Sequence, residues 1–203
     1  MFTDGPDETL AFVTPSTDDP RQWVLGIDIA DSSDLADLSF TLVHEFAHLL
    51  TLNSDQVPAD EELAMQPDDQ DLYDEAVAAC PTYFPGEGCS NPDSYINAFF
   101  ERFWADEYQD WLDVDQLQYE DEEQYTTALE DFYALRSDEF VSDYAATNPG
   151  EDIAESFATF VLQPAPTGTT IADDKVAFFY DYPELVQLRT EIMGRLYSRL
   201  RRR

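Results

Sequence analysis

The sequence predicts a mostly helical α+β fold, with a small N-terminal antiparallel sheet ahead of a helical body. Two short apolar stretches separated by Pro15 and Pro20 open the chain, and apolar residues at helical spacing recur through most of the remaining sequence. Its 203 residues are 43% hydrophobic and 14% aromatic, enough for a substantial core. No internal repeat or low-complexity tract divides the chain, so residues 1–203 are expected to form one domain. That domain has room for two lobes, with a cleft between about 1–55 and 92–203.

Residues 10–14 and 23–29 read as strands, the second alternating in part through Val24, Leu25, Ile27 and Ile29. Asp31, Ser32, Ser33 and Asp34 are N-cap candidates for a helix over 34–52, which Asn53 and Ser54 end. Leu35, Leu38, Leu42, Val43, Phe46, Ala47, Leu49 and Leu50 make it apolar almost all round, as expected of a helix buried in a core. Its one polar stripe is Thr41, His44, Glu45, His48 and Thr51. Residues 55–74 turn acidic and are punctuated by proline, which predicts a connection with a short helix near 61–65.

Over 92–112, Tyr95, Ile96, Phe99, Phe100, Phe103, Trp104, Tyr108 and Trp111 recur at i, i+3, i+4, i+7 spacing. This predicts one long helix with its aromatic stripe in the core, a hydrophobic substrate pocket being the lesser alternative. Asp113-Val114-Asp115 begins like a calcium loop, but the required glycine and closing glutamate are out of place, so calcium is not expected. Another helix covers 122–136, and Asn148 followed by Pro149 marks an N-cap and first helical position. After a loop over 164–170, helices are expected at 171–180 and 183–200, the last ending in Arg199 and Arg201 to Arg203, cations that suit its dipole.

The formal charge is −34, from 44 acidic against 10 basic residues. A field of that sign repels nucleic acid and anionic membranes and draws cationic peptides at low salt, although an acidic face is foremost a solvated one. No run of 18 apolar residues exists, so no transmembrane segment is expected. The only two cysteines, Cys80 and Cys89, close a turn-rich loop containing Pro81, Pro85, Gly86 and Gly88. They predict a disulfide and an extracytoplasmic or secreted setting, two reduced thiols in a cytoplasmic protein being the alternative. Residues 1–7 have neither a basic start nor an apolar stretch, so no leader is visible, and an exported form is expected to have lost one.

The chemistry concentrates in His44-Glu45-Phe46-Ala47-His48, which carries the chain's only two histidines in an H-E-x-x-H pattern. Residues i and i+4 share a helix face, so both imidazoles can reach one Zn²⁺ while the Glu45 carboxylate lies beside the open coordination position as a general base. Burying that stripe without partners would cost about 1–3 kcal/mol per group, a cost that a metal and a water-filled cleft remove. A catalytic zinc normally has three protein ligands, and with no histidine left the third must be a carboxylate from another helix.

The helix beginning at Pro149 offers two, Glu151 and Glu155, one turn apart on a common face. Ile153, Ala154, Phe157, Ala158, Phe160 and Val161 would pack this helix inside. One glutamate as a ligand and one accepting an N–H from a ligating histidine would explain two acids on a buried helix. Alternatively, Glu151 merely caps Asn148 from the third helical position and Glu155 faces solvent.

Tyr144 precedes Glu151 by seven residues and Glu155 follows it by four. With the H-E-x-x-H helix, this arrangement resembles the gluzincin metallopeptidases and is similar to the catalytic domain of anthrax lethal factor and its relatives, over residues 38–52 and 140–162. The resemblance implies a zincin-like fold in which His44, His48 and Glu151 bind one catalytic Zn²⁺, Glu45 is the general base and Tyr144 stabilises the oxyanion. It also implies that Glu155 orients His44. Thermolysin-like gluzincins use a downstream histidine for the oxyanion, and since this chain has none that role falls to Tyr144.

The activity so implied is that of a zinc metalloendopeptidase acting on a peptide or protein substrate, with the 23–29 strand expected to pair with substrate backbone. The alternatives are a non-catalytic zinc-binding module of the same fold and a zinc amide hydrolase with a non-peptide substrate.

Overall fold

The computed structural model describes residues 2–3, 10–16, 18–28, 34–119 and 121–200, with the backbone alone described at 2, 3, 199 and 200. Ile29, the cap candidates Asp31, Ser32 and Ser33, the Arg199 side chain and residues 201–203 lie outside the described residues. The chain divides into two compact units, Met1–Ala105 and Asp106–Arg203. No helix among the described residues is long and apolar enough to cross a membrane.

In the first unit β1 (Phe2–Thr3), β2 (Ala11–Pro15) and β3 (Trp23–Asp28) form one sheet in the order β1-β3-β2. β2 and β3 are antiparallel, with Ala11 opposite Ile27 and Pro15 opposite Trp23. β1 adds in parallel through Phe2–Ile27 and Thr3–Asp28, a pairing that the sequence pattern does not suggest. β3 therefore lies in the middle of the sheet. β1 covers β3 only at Ile27 and Asp28.

α1 (Leu35–Leu52) starts where the Asp34 carboxylate accepts the N–H groups of Ala36 (2.7 Å) and Asp37 (3.3 Å). It ends where the Asn53 amide donates to the carbonyls of Leu49 (2.9 Å) and Leu50 (3.0 Å). The helix is not apolar-side-in all round. Its buried residues are Val43, His44, Glu45, Ala47, His48, Thr51 and Leu52, while Leu35 and Phe46 are 42% and 37% exposed. The polar stripe thus points inward and two large apolar side chains point out, which hydrophobicity alone would not produce.

α2 (Glu61–Met65) is the short helix the sequence predicts. α3 (Gln70–Ala79) begins within the stretch expected to be a connection. None of its residues is buried, so there is no apolar face to betray it; Asp69 accepting from Leu72 N (3.1 Å) and Gln70 donating to Asp74 (2.8 Å) set its start. Cys80 and Cys89 are joined in a disulfide, with Cα atoms 5.4 Å apart. α4 (Tyr95–Phe103) then buries Ile96 and Phe99, with Trp104 buried just beyond it.

The single helix expected over 92–112 is two, α4 and α5 (Tyr108–Asp115). Trp104 N and Ala105 N both donate to the Phe100 carbonyl (2.8 and 3.0 Å), which closes α4. The residues of the second segment follow partners distant in sequence. Arg136 holds Glu107 (2.7 Å) and Asp110 (2.9 Å), and the Trp111 indole N–H donates to the Thr147 carbonyl (2.9 Å). Such tertiary bonds are invisible to periodicity.

In the second unit α5 is followed by α6 (Glu122–Leu135), α7 (Pro149–Leu162), α8 (Ile171–Phe178) and α9 (Pro183–Leu200), with 3-10 turns at Gln116–Tyr119, Tyr144–Thr147 and Phe179–Asp181. α7 is its centre: Ile153, Ala154, Phe157, Ala158, Phe160 and Val161 are wholly buried. The rings of Phe157 and Phe160 meet Phe179 at 5.3 and 5.4 Å between centroids. Arg189 closes the helix C-terminus, donating to the carbonyls of Phe160 (2.5 Å) and Gln163 (2.9 Å), where a cation also suits the dipole.

Candidate metal centre

One turn of α1 sets the His44 and His48 rings edge to face, with centroids 4.8 Å apart and an interplanar angle of 79°. Their Nε2 atoms lie 3.1 Å from each other, both rings being buried. Glu45, between them in sequence, is buried as well. Thr51, the last residue of the stripe, is accounted for within the helix by donating to the Ala47 carbonyl (2.8 Å).

On α7, Asn148 caps the helix by accepting the Glu151 N–H (2.9 Å), and Pro149 occupies the first turn as its fixed φ allows. Among the described residues, His44, His48 and Glu151 form a group that could hold a metal ion, each offering a ligand atom within 4.8 Å of the others. The donor chemistry fits zinc. Nitrogen ligands about 2.0–2.1 Å from a tetrahedral ion stand roughly 3.3 Å apart, close to the spacing of the two imidazole nitrogens.

Glu155, one turn after Glu151, is buried and accepts a hydrogen bond from Ser142 Oγ (2.7 Å). Ser142 Oγ in turn accepts from Ala145 N (3.1 Å), so Glu155 fixes the turn that carries Tyr144. The Tyr144 side chain is 52% exposed, and its backbone N–H donates to Asp143 (2.9 Å).

Three features around these residues have no signature in a motif. Ser142 is one, a hydroxyl whose role depends on a partner thirteen residues away. The second is the pair Lys175–Asp152, 2.6 Å apart with both side chains buried and the ammonium 3.9 Å from the centre of the Phe140 ring. The sequence carries a hint of it, because Lys175 is the chain's only lysine and the acid beside Glu151 is its partner.

The third is Glu87, in the loop closed by the disulfide. Burial pushes its carboxyl above the ordinary range, against a hydrogen bond from its own N–H and the charge of His48. No family model, curated protein or solved structure matches the chain.

Proposed function

We propose that the chain is a zinc-dependent metallopeptidase of zincin-like fold and gluzincin type, hydrolysing peptide bonds in a protein or peptide substrate. The supporting observation is the convergence of His44, His48 and Glu151, two imidazoles and a carboxylate, beside an acid at the position after the first histidine. Zinc in such a donor set supplies Lewis acidity toward a carbonyl oxygen and toward water. The Glu45 carboxylate takes the proton of the attacking water and passes it to the leaving amine nitrogen. The Tyr144 phenol donates its O–H to the oxygen on which negative charge develops. Glu155 has the second acid's part, holding its neighbours in place rather than reacting. An extracytoplasmic setting goes with the Cys80–Cys89 disulfide.

Hydrolysis of an unfolded protein mixture by purified protein, with and without a chelator, tests the proposal together with Glu45→Gln. The expected result is activity that chelation removes and zinc restores, and a variant that retains its zinc but loses at least about 10²-fold in rate. Chelator-resistant cleavage, or full activity in Glu45→Gln, would overturn it.

A further inference from the structure

The turn that carries Tyr144 is fastened at both ends. At its start the Ser142 hydroxyl donates to Glu155 Oε2 (2.7 Å) and accepts the Ala145 N–H (3.1 Å), so one oxygen joins α7 to the backbone on the far side of the tyrosine. At its end the Trp111 indole N–H donates to the Thr147 carbonyl (2.9 Å), and Asn148 then caps α7 through the Glu151 N–H. Between the two, Asp143 accepts the Tyr144 N–H (2.9 Å) with its side chain and the Ala146 N–H (3.1 Å) with its carbonyl. Ala145 and Ala146 are wholly buried, which leaves this backbone little room to slide. Two methyl groups thus go inside while an aromatic ring stays half exposed, the reverse of what hydrophobicity favours.

A rigid backbone beneath an exposed side chain is what holds a reacting group in its productive geometry. The fastening at Ser142 ends on a carboxylate that is itself buried and stands one helical turn from Glu151. Serine is the shortest side chain that donates to such an acid and accepts from a backbone N–H at once. Keeping a carboxylate buried costs free energy, and a surface turn can be pinned without one. We propose that Ser142 is the positioning residue of Tyr144: its hydroxyl ties the 3-10 turn to Glu155 and so sets where the phenol stands for the reaction. The inference rests on the proposed role of Tyr144 as a donor to the oxyanion. It adds what the second acid of α7 holds, and through which atom.

Two measurements on the full chain test this, with wild type, Ser142→Ala, Ser142→Thr, Tyr144→Phe and the double variant Ser142→Ala with Tyr144→Phe. The first is kcat and KM of the zinc-loaded protein on one peptide bond identified in the unfolded protein mixture. The second, on zinc-free protein made with fluorotyrosine, is the fluorine NMR resonance of Tyr144, assigned by its absence from Tyr144→Phe. For Ser142→Ala we expect kcat about 10–100-fold lower, KM and zinc content kept, and the Tyr144 resonance displaced toward that of free fluorotyrosine with the other tyrosine resonances in place. Ser142→Thr keeps the hydroxyl and should restore both readouts. The double variant should be no slower than Tyr144→Phe, because a residue that acts through the phenol then has nothing left to position. An unmoved resonance, losses that multiply in the double variant, or wild-type kcat in Ser142→Ala where Tyr144→Phe is slow would each overturn the assignment. Wild-type kcat in Tyr144→Phe beside a displaced resonance in Ser142→Ala would instead remove the oxyanion role on which it rests, a result distinguishable from those three.

Discussion

Helices α1 and α7 each bury ionisable side chains, and they do so in opposite ways. In α7, Asp152 meets Lys175 at 2.6 Å, with the ammonium also against the Phe140 ring, so an acid and a base neutralise each other inside the fold. In α1, His44 and His48 turn two atoms of the same kind toward each other at 3.1 Å. Of two facing imidazole nitrogens at most one can donate a proton to the other, and a cation placed between them satisfies both. The first arrangement is complete in itself and holds the fold. The second belongs to a group that, with Glu151, could hold an ion.

The contrast can be broken most forcefully at α7. Lys175→Met leaves Asp152 as an uncompensated buried charge and should destabilise the protein by roughly 3–5 kcal/mol in urea denaturation. Adding Asp152→Leu should recover most of the loss, because an apolar pair of similar volume can replace a buried ion pair. A single variant of wild-type stability would mean that the pair does not hold α7 and α8 together.

A smaller effect is expected just ahead of α7, where Tyr144 is half exposed. Tyr144→Phe should leave stability and zinc content unchanged and lower kcat about 10²-fold, the usual consequence of losing one donor to an oxyanion. Equal kcat in the variant would remove the phenol from the reaction.

The smallest effect lies at Glu139, where burial, followed by the charge and hydrogen bond of Glu107, raises the carboxyl from 4.5 to about 7. Between those values the folded chain binds more protons at this site than the unfolded chain does. Stability contributed here therefore falls as pH rises through that window, and the penalty is complete above it. Glu139→Gln should accordingly have a thermal midpoint above wild type at pH 8, with the gap closing near pH 5. A gap independent of pH would refute the assignment.

How much the sequence discloses about these regions depends on the range of the interactions involved. Caps are local, so Asp34, Asn148 and Pro149 mark the starts of α1 and α7 correctly. The H-E-x-x-H spacing is also local, and it fixes the juxtaposition of two rings with no knowledge of the rest of the fold. The break after Phe103 depends on Arg136 and Thr147, many residues away, and an unbroken aromatic period conceals it. α3 has no buried face, so hydrophobic patterning passes over it.

β1 pairs in parallel with a strand far along the chain, and two residues give no alternation to read. Glu87 is one acid among 44, distinguished only by a loop whose docking on residues 55–60 is set by backbone hydrogen bonds. Charge composition points to an acidic surface, and for the same reason it hides the few acids that are inside, such as Asp152 and Glu155.

The proposed chemistry requires that His44, His48 and Glu151 jointly hold one zinc ion. X-ray absorption at the zinc edge, on protein dialysed against zinc and then freed of excess, reads that coordination itself. One zinc per chain is expected, with two imidazole nitrogens and oxygen donors at about 2.0–2.1 Å, and loss of the ion in Glu151→Ala. Protein that emerges metal-free, or zinc in a shell without imidazole, would refute the assignment.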